Sequence, residues 1–306
     1  MPLSPNARGA LYMAVSTVGF ISNDSVTKYI SAFINIGQVM LLRGLIATTL
    51  IAALAYHRRE LSFSREALHP LMLLRSLAEV ASTICFLTAL THLPLANASA
   101  LFHFLPLATT MAAALFLGKG VGWRRWLSIF AGFVGVVLIV QPGADQFNAF
   151  SLLVLLSVGF SVVRDLATAR APATVPPIMM SVVTSAGVTL AGGLLIVPYG
   201  GWTPVEPWQI IFFMLGAILV LTGYQAVILA MRTGELSFVA PFRYVGLVYA
   251  FLLGFLIFGE VPNTLMFVGS AIVLGSGIYM LYRERVRGGG IAAETAVSPT
   301  VAPEGM

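Results

Sequence analysis

The sequence predicts an all-α membrane protein: ten transmembrane helices, arranged as two inverted repeats of five, with the N- and C-termini in the cytoplasm. Three observations carry this prediction. Hydrophobic residues make up 58% of the 306 residues and charged residues only 9%, against about 25% charged in soluble domains. The apolar residues fall in runs that reach the ~20 residues needed to cross a bilayer. The Lys and Arg residues lie mostly in alternate loops, the pattern that membrane insertion imposes.

The runs place spans at 10–31, 35–56, 70–91, 94–117, 124–141, 149–170, 177–198, 208–231, 236–258 and 263–282. Several breaks carry turn chemistry: Gln141-Pro142-Gly143, Tyr199-Gly200-Gly201 and Glu260-Val261-Pro262-Asn263. Backbone groups in hydrocarbon must be paired within the segment, so each run is a helix. The every-second-residue alternation of barrel strands is missing. The first run, from Ala10, lacks a small-residue cleavage site and reads as a retained span. Residues 1–9 form a cytoplasmic N-terminus. The Gly-, Ala-, Pro- and Thr-rich stretch 287–306 has no apolar period and reads as a disordered cytoplasmic tail.

Orientation follows from the basic residues. With the N-terminus inside, the inner loops hold twelve: Arg8, Arg58, Arg59, Arg65, Lys119, Arg124, Arg125, Arg170, Arg232, Arg283, Arg285 and Arg287. The outer side holds only Lys28. This bias accounts for the net charge of +5 without invoking nucleic acid. Cys85, the single cysteine, lies in a span, reads as a packing residue and excludes an intrachain disulfide.

The two halves look related. Thr17-Val18-Gly19-Phe20 resembles Ser157-Val158-Gly159-Phe160, and 89–118 can be laid without gaps on 230–259. This divides the chain into a first repeat, 10–141, and a second, 142–286. Five spans per repeat is odd, so the second copy is inverted in the membrane, a common build of secondary transporters with the site at the repeat interface. Lys119 and Glu260 follow the matched glycines Gly118 and Gly259, one predicted inside and the other outside.

Pro241-Phe242-Arg243-Tyr244 opening the ninth span, Phe258-Gly259-Glu260 closing it, and Pro262 before a glycine-rich last span resemble the drug/metabolite transporter superfamily, EamA-type. The resemblance covers roughly residues 8–286 and is most specific in the C-terminal block. Lys119 departs from the Glu often found at the equivalent turn. Length and layout are most similar to YddG-type bacterial amino-acid exporters; riboflavin and S-adenosylmethionine importers share the scaffold. The resemblance implies a multi-pass protein of the bacterial inner membrane, a central cavity shared by both halves, and alternating access without ATP. It implies a small-molecule substrate, amino acids (aromatic ones included) foremost, and no cofactor. The expected state is a monomer or homodimer embedded in lipid. The fold alone does not fix the cargo.

The residues add their own reading. No G-x-x-x-x-G-K-[ST] run is present. His57, His69, His92 and His103 are scattered, without metal-ligand spacing. No catalytic motif appears, so the chain reads as a transporter rather than an enzyme. Charges inside a bilayer are costly and become site candidates by default. Here they are Asp24, Arg43, Arg75, Glu79, Arg164, Asp165 and Arg243.

Asp24 and Arg43 lie at similar depth on the first hairpin, either as a structural pair or lining the outer half of a cavity. Arg75 and Glu79 are one helical turn apart and either pair with each other or divide: Arg75 snorkels to the interface while the deeper Glu79 serves as a proton-coupling candidate. Arg164 and Asp165, adjacent and near a span end, read as solvated or snorkelling. Arg243 is the candidate for a substrate carboxylate, or else a partner of Glu79 or of a lipid phosphate. Its neighbour Tyr244 aligns with His103 in the other repeat. Pro106 and Pro241 break the helices there. Tyr224, Gln225 and Phe86 complete the expected substrate-binding set of Arg243, Tyr244, His103, Arg43 and Asp24. Each of these aromatics has an ordinary packing role as its alternative.

Overall fold

The computed structural model describes residues 4–57, 69–116, 122–143, 147–170, 177–234 and 236–287. Among them the regular structure is entirely helical. The first half of the chain contains α1 (Pro5–Ile30), α2 (Ile36–His57), α3 (Pro70–Leu90), α4 (Leu95–Phe102), α5 (Leu105–Phe116) and α6 (Trp123–Val140). The second half contains α7 (Phe150–Ala169), α8 (Pro177–Leu195), α9 (Pro207–Thr233), α10 (Leu236–Val239), α11 (Val245–Phe258) and α12 (Thr264–Arg287).

Nine segments among the described residues are long and apolar enough to span a bilayer. The tenth predicted span, α1, is long enough at 26 residues but less apolar. Its second half carries Ser22, Asn23, Asp24, Ser25, Thr27 and Lys28, a polar face that other helices cover. It also begins earlier than hydropathy predicts. Ser4 Oγ accepts the Ala7 N–H and Pro5 takes the first helical position, a start that needs no apolar residue. At the other end α12 runs on to Arg287, beyond the predicted 282. Arg58, Arg59, Arg65, the Lys119 turn and the tail from 288 lie outside the described residues.

Two predicted spans are interrupted. The fourth divides into α4 and α5 at His103 and Phe104; the ninth passes from α10 through a 3₁₀ turn, Ala240–Tyr244, into α11. Proline is the local cause. Pro106 and Pro241 have no N–H to give the carbonyl four residues earlier, and their rings crowd that turn. At the first break His103 Nδ1 also contacts the Ser99 carbonyl at 2.7 Å.

The helices pack in a reciprocal pattern across the two halves. α1 lies chiefly against α9 and α3 against α7; α2 lies against α8, α6 against α12, and α4 against α11. Small residues permit the closest approaches: a Cβ on Gly135 would meet the Gly269 carbonyl at 2.7 Å, and one on Gly269 would meet the Gly135 carbonyl at 2.6 Å. Hydroxyls join the helices elsewhere. Ser82 on α3 bonds Ser157 and Ser161 of α7 at 2.9 and 2.8 Å, and Thr48 on α2 bonds Thr189 of α8 at 3.1 Å. Large apolar side chains such as Leu194, Ile211 and Phe255 are exposed around the bundle, the surface that lipid covers.

One end is tied by an ion pair. Lys28 Nζ meets Glu260 Oε1 at 2.5 Å and also donates to the Leu93 carbonyl; Glu260 Oε2 accepts the Leu95 N–H at 2.7 Å. The ends of α1 and α11 and the start of α4 are thereby joined.

Candidate functional site

The charged residues inside the spans fall into three groups, on α3 and α7, on α1 and α2, and at the helix breaks. On the α3–α7 side, Arg164 is the node. Its Nη1 donates to Glu79 Oε2 at 2.7 Å, and its Nε and Nη2 each reach Asp165 Oδ1 at 2.8 Å. This corrects the expectation that Arg164 and Asp165 are solvated or snorkelling: their side chains are 12% and 0% exposed. The two side chains leave the helix about 100° apart, but the long arm of Arg164 curls back to its neighbour.

Arg75 is corrected as well. It neither pairs with Glu79 nor snorkels; it is 2% exposed. Its Nε donates to Thr168 at 3.0 Å and its Nη1 to Thr184. The physical reason is that α7 and α8 pack against α3, bringing hydroxyls to Arg75 and a better-placed guanidinium to Glu79.

On the α1–α2 side, Asn23 stands between Asp24 and Arg43. Arg43 Nη1 donates to Asn23 Oδ1 at 3.0 Å and to Thr27 Oγ1 at 3.3 Å; Asn23 Nδ2 donates to Asp24 Oδ1 at 3.2 Å. The expected direct pair is thus a relay through an amide, although the two charges still feel each other. Gly216 of α9 lies against this group: a Cβ there would be in ordinary contact with Asn23 Oδ1 at 3.4 Å and Arg43 Cδ at 3.7 Å.

At the breaks, the rings of His103 and Tyr244 are 5.5 Å apart, and His103 Nε2 lies 3.4 Å from the Arg243 carbonyl oxygen. Arg243 is not the partner of Glu79, which Arg164 holds; it is electrostatically coupled to Asp165 and Arg164. Three polar atoms here are buried with no hydrogen-bond partner among the described residues: Arg243 Nη1, Asp165 Oδ2 and Tyr244 Oη. Tyr244 packs directly over Gly277, where any Cβ would collide with its phenol.

Tyr224 on α9 packs against α1, its ring meeting Phe20 edge-on at 5.2 Å. Gln225 beside it is half-buried. Phe86 and Phe102 meet at 5.0 Å, and Tyr249 Oη shares a hydrogen bond with Ser22 at 3.1 Å.

Four arginines (Arg43, Arg75, Arg164 and Arg243) and three carboxylates (Asp24, Glu79 and Asp165) lie on these spans. Asp24, Arg43, Glu79, Arg164, Tyr224, Arg243 and His103 keep intermediate exposure while their polar atoms address neighbouring helices. Sequence reading missed Asn23, Thr168 and Thr184. Only Asn23 left a signal, as part of the polar run 22–28. The threonines join through tertiary contact alone.

Comparison with known proteins agrees with this architecture. Residues 7–141 match the model of the EamA-like transporter family. The chain is 27% identical over 279 residues to a riboflavin transporter of Vibrio cholerae, covering 87% of this chain and 90% of that one. It is 25% identical over 286 residues to an S-adenosylmethionine uptake transporter of Rickettsia bellii, covering 90% and 94%. It is 24% identical over 272 residues to a pseudopaline exporter, CntI, of Pseudomonas aeruginosa, covering 87% and 93%. A solved crystal structure shares the fold with a TM-score of 0.57 at 17% identity, covering 91% of this chain and 98% of that one. The protein is a multi-pass protein of the bacterial inner membrane. Its similarity to transporters speaks against an enzyme.

Proposed function

We propose that this EamA-type transporter exports small metabolites, amino acids foremost, across the inner membrane by alternating access. The observation that carries this reading is Arg243. It sits in a broken helix at the junction of the halves, with a buried guanidinium nitrogen that no described residue satisfies. A carboxylate fits that group by a two-pronged, charge-assisted bond. The excess of arginine over carboxylate favours cargo that brings negative charge. Phe86, Tyr224 and Tyr244, with His103 and Gln225, provide flat and polar walls for a side chain, aromatic ones included.

The packing supports two inverted five-helix repeats, 10–141 and 142–286. A two-fold axis in the membrane plane pairs the first helix of each repeat with the third of the other, and the second, fourth and fifth with their own counterparts. The pairs α1–α9 with α3–α7, then α2–α8, α4–α11 and α6–α12 follow that rule. Thr48 and Thr189, like His103 and Tyr244, are 141 positions apart and touch each other, as residues beside such an axis do. With both termini cytoplasmic, the Lys28–Glu260 tie closes the outer side. Glu79, if released from Arg164, is the group proposed to carry a coupling proton.

The test is flux. Purified protein in liposomes, without ATP and with an imposed pH gradient, should move labelled amino acids faster than empty vesicles do. No flux across a panel of twenty would refute the substrate. Loss of the gradient effect in Glu79→Gln would support Glu79; an unchanged gradient effect would remove it. A second reading, import of a larger metabolite such as riboflavin or S-adenosylmethionine, is favoured by the two relatives named for those cargoes. Uptake rescue of an auxotroph would decide for it.

A further inference from the structure

We infer that Asp165 and Arg243 are the two ends of a clamp for an α-ammonium carboxylate. Arg243 takes the carboxylate and Asp165 the ammonium. This rests on the carboxylate site proposed above and adds to it a second residue and a narrower class of cargo.

Both groups hold a buried polar atom without a partner among the described residues, Arg243 Nη1 and Asp165 Oδ2. Leaving such atoms unmet in a charged group is expensive, more so than for a neutral one. The two groups are opposite in charge; the Arg243 carbonyl meets His103 at the end of α4, which packs against α7, yet no ion pair among the described residues joins them. Whatever satisfies both must offer an acceptor to Arg243 and a donor to Asp165. A carboxylate alone answers only the first, and an amine only the second. An α-amino acid offers both, one carbon apart.

The surroundings hold the clamp in place. Asp165 is 2% exposed, and its other oxygen is fixed by Arg164, which Glu79 anchors in turn. Asp165 Oδ2 therefore has a set direction. Arg243 lies in the 3₁₀ turn beside the buried Tyr244, which packs over Gly277 of α12 and fixes that turn. Because Asp165 is enclosed, cargo reaches it only as the halves part, which ties recognition to the transport movement. Riboflavin has neither an ammonium nor a carboxylate and does not fill this clamp. The amino-acid end of S-adenosylmethionine has both.

Binding to the purified full-length protein tests the inference. The probes are the amino acid bound tightest from a panel of twenty and its desamino and decarboxylated analogues. For L-phenylalanine these are 3-phenylpropionate and 2-phenylethylamine. The unaltered protein should bind each analogue roughly ten- to a hundredfold more weakly, the loss of one charge-assisted bond. Asp165→Asn should lower amino-acid affinity to that of the desamino analogue and leave the desamino affinity unchanged. Arg243→Gln should weaken the amino acid and the desamino analogue while sparing the amine.

Equal binding of the amino acid and its desamino analogue would overturn the clamp and leave the Arg243 carboxylate site standing. Uniform weakening of all three probes in Asp165→Asn would make Asp165 merely structural and also overturn the clamp. No binding by any amino acid would remove the proposed function and the clamp together. The analogue series on the unaltered protein decides the matter even if Asp165→Asn fails to fold.

Discussion

On the α1–α2 side of the bundle, Arg43 is held by Asn23 and Thr27; on the α3–α7 side, Arg164 is held by Glu79 and Asp165. The two sides use reciprocal helix packing but different polar chemistry. Arg43 hangs on neutral acceptors that exchange at small cost. Arg164 is the common partner of two carboxylates in a low-dielectric interior, where removing one member leaves charge uncompensated. Arg75 reinforces that side, bridging from α3 to α7 and α8 through Thr168 and Thr184. The difference teaches where the bundle is anchored. Taking apart the ionic contacts of the α3–α7 side should therefore cost more than taking apart those of the α1–α2 side.

Substitutions test this contrast. Arg164→Gln strands Glu79 and Asp165 together and should cost about 3–5 kcal/mol, seen as a sharp fall in the melting temperature of the detergent-solubilised protein. A melting temperature equal to that of the unaltered protein would break the contrast. Thr184→Val removes one acceptor from the buried Arg75 and should cost about 1–3 kcal/mol; Thr168→Val should behave alike. Arg43→Gln should cost about 1 kcal/mol or less, because Asn23 and Thr27 can bond the new amide. If Arg43→Gln destabilised the protein as much as Arg164→Gln, the two sides would be equivalent.

The spans were legible because hydrocarbon demands long apolar helices. The breaks were legible because Pro106 and Pro241 announce them. Asp24 and Arg43 were correctly set at one depth, but an adjacent amide intercepted their pairing. Arg75 and Glu79 illustrate the limit more sharply. Their four-residue spacing speaks only for one helix surface, while the structure gives Glu79 to Arg164, 85 positions away. Asp165 was hidden for a similar reason. Next to Arg164 and near a helix end, it looked like a solvated residue until α3 covered it. Sequence periodicity reports which face of a helix is polar; it does not report which helix arrives to meet it.

The central claim is that the interior cluster around Arg243 is where cargo binds and from which it is carried. Counterflow measures this directly. Liposomes loaded with an unlabelled amino acid and diluted into its labelled form should accumulate label transiently without ATP. Arg243→Gln, reconstituted to the same density, should lose most of that overshoot. An overshoot in Arg243→Gln equal to that of the unaltered protein would contradict the account.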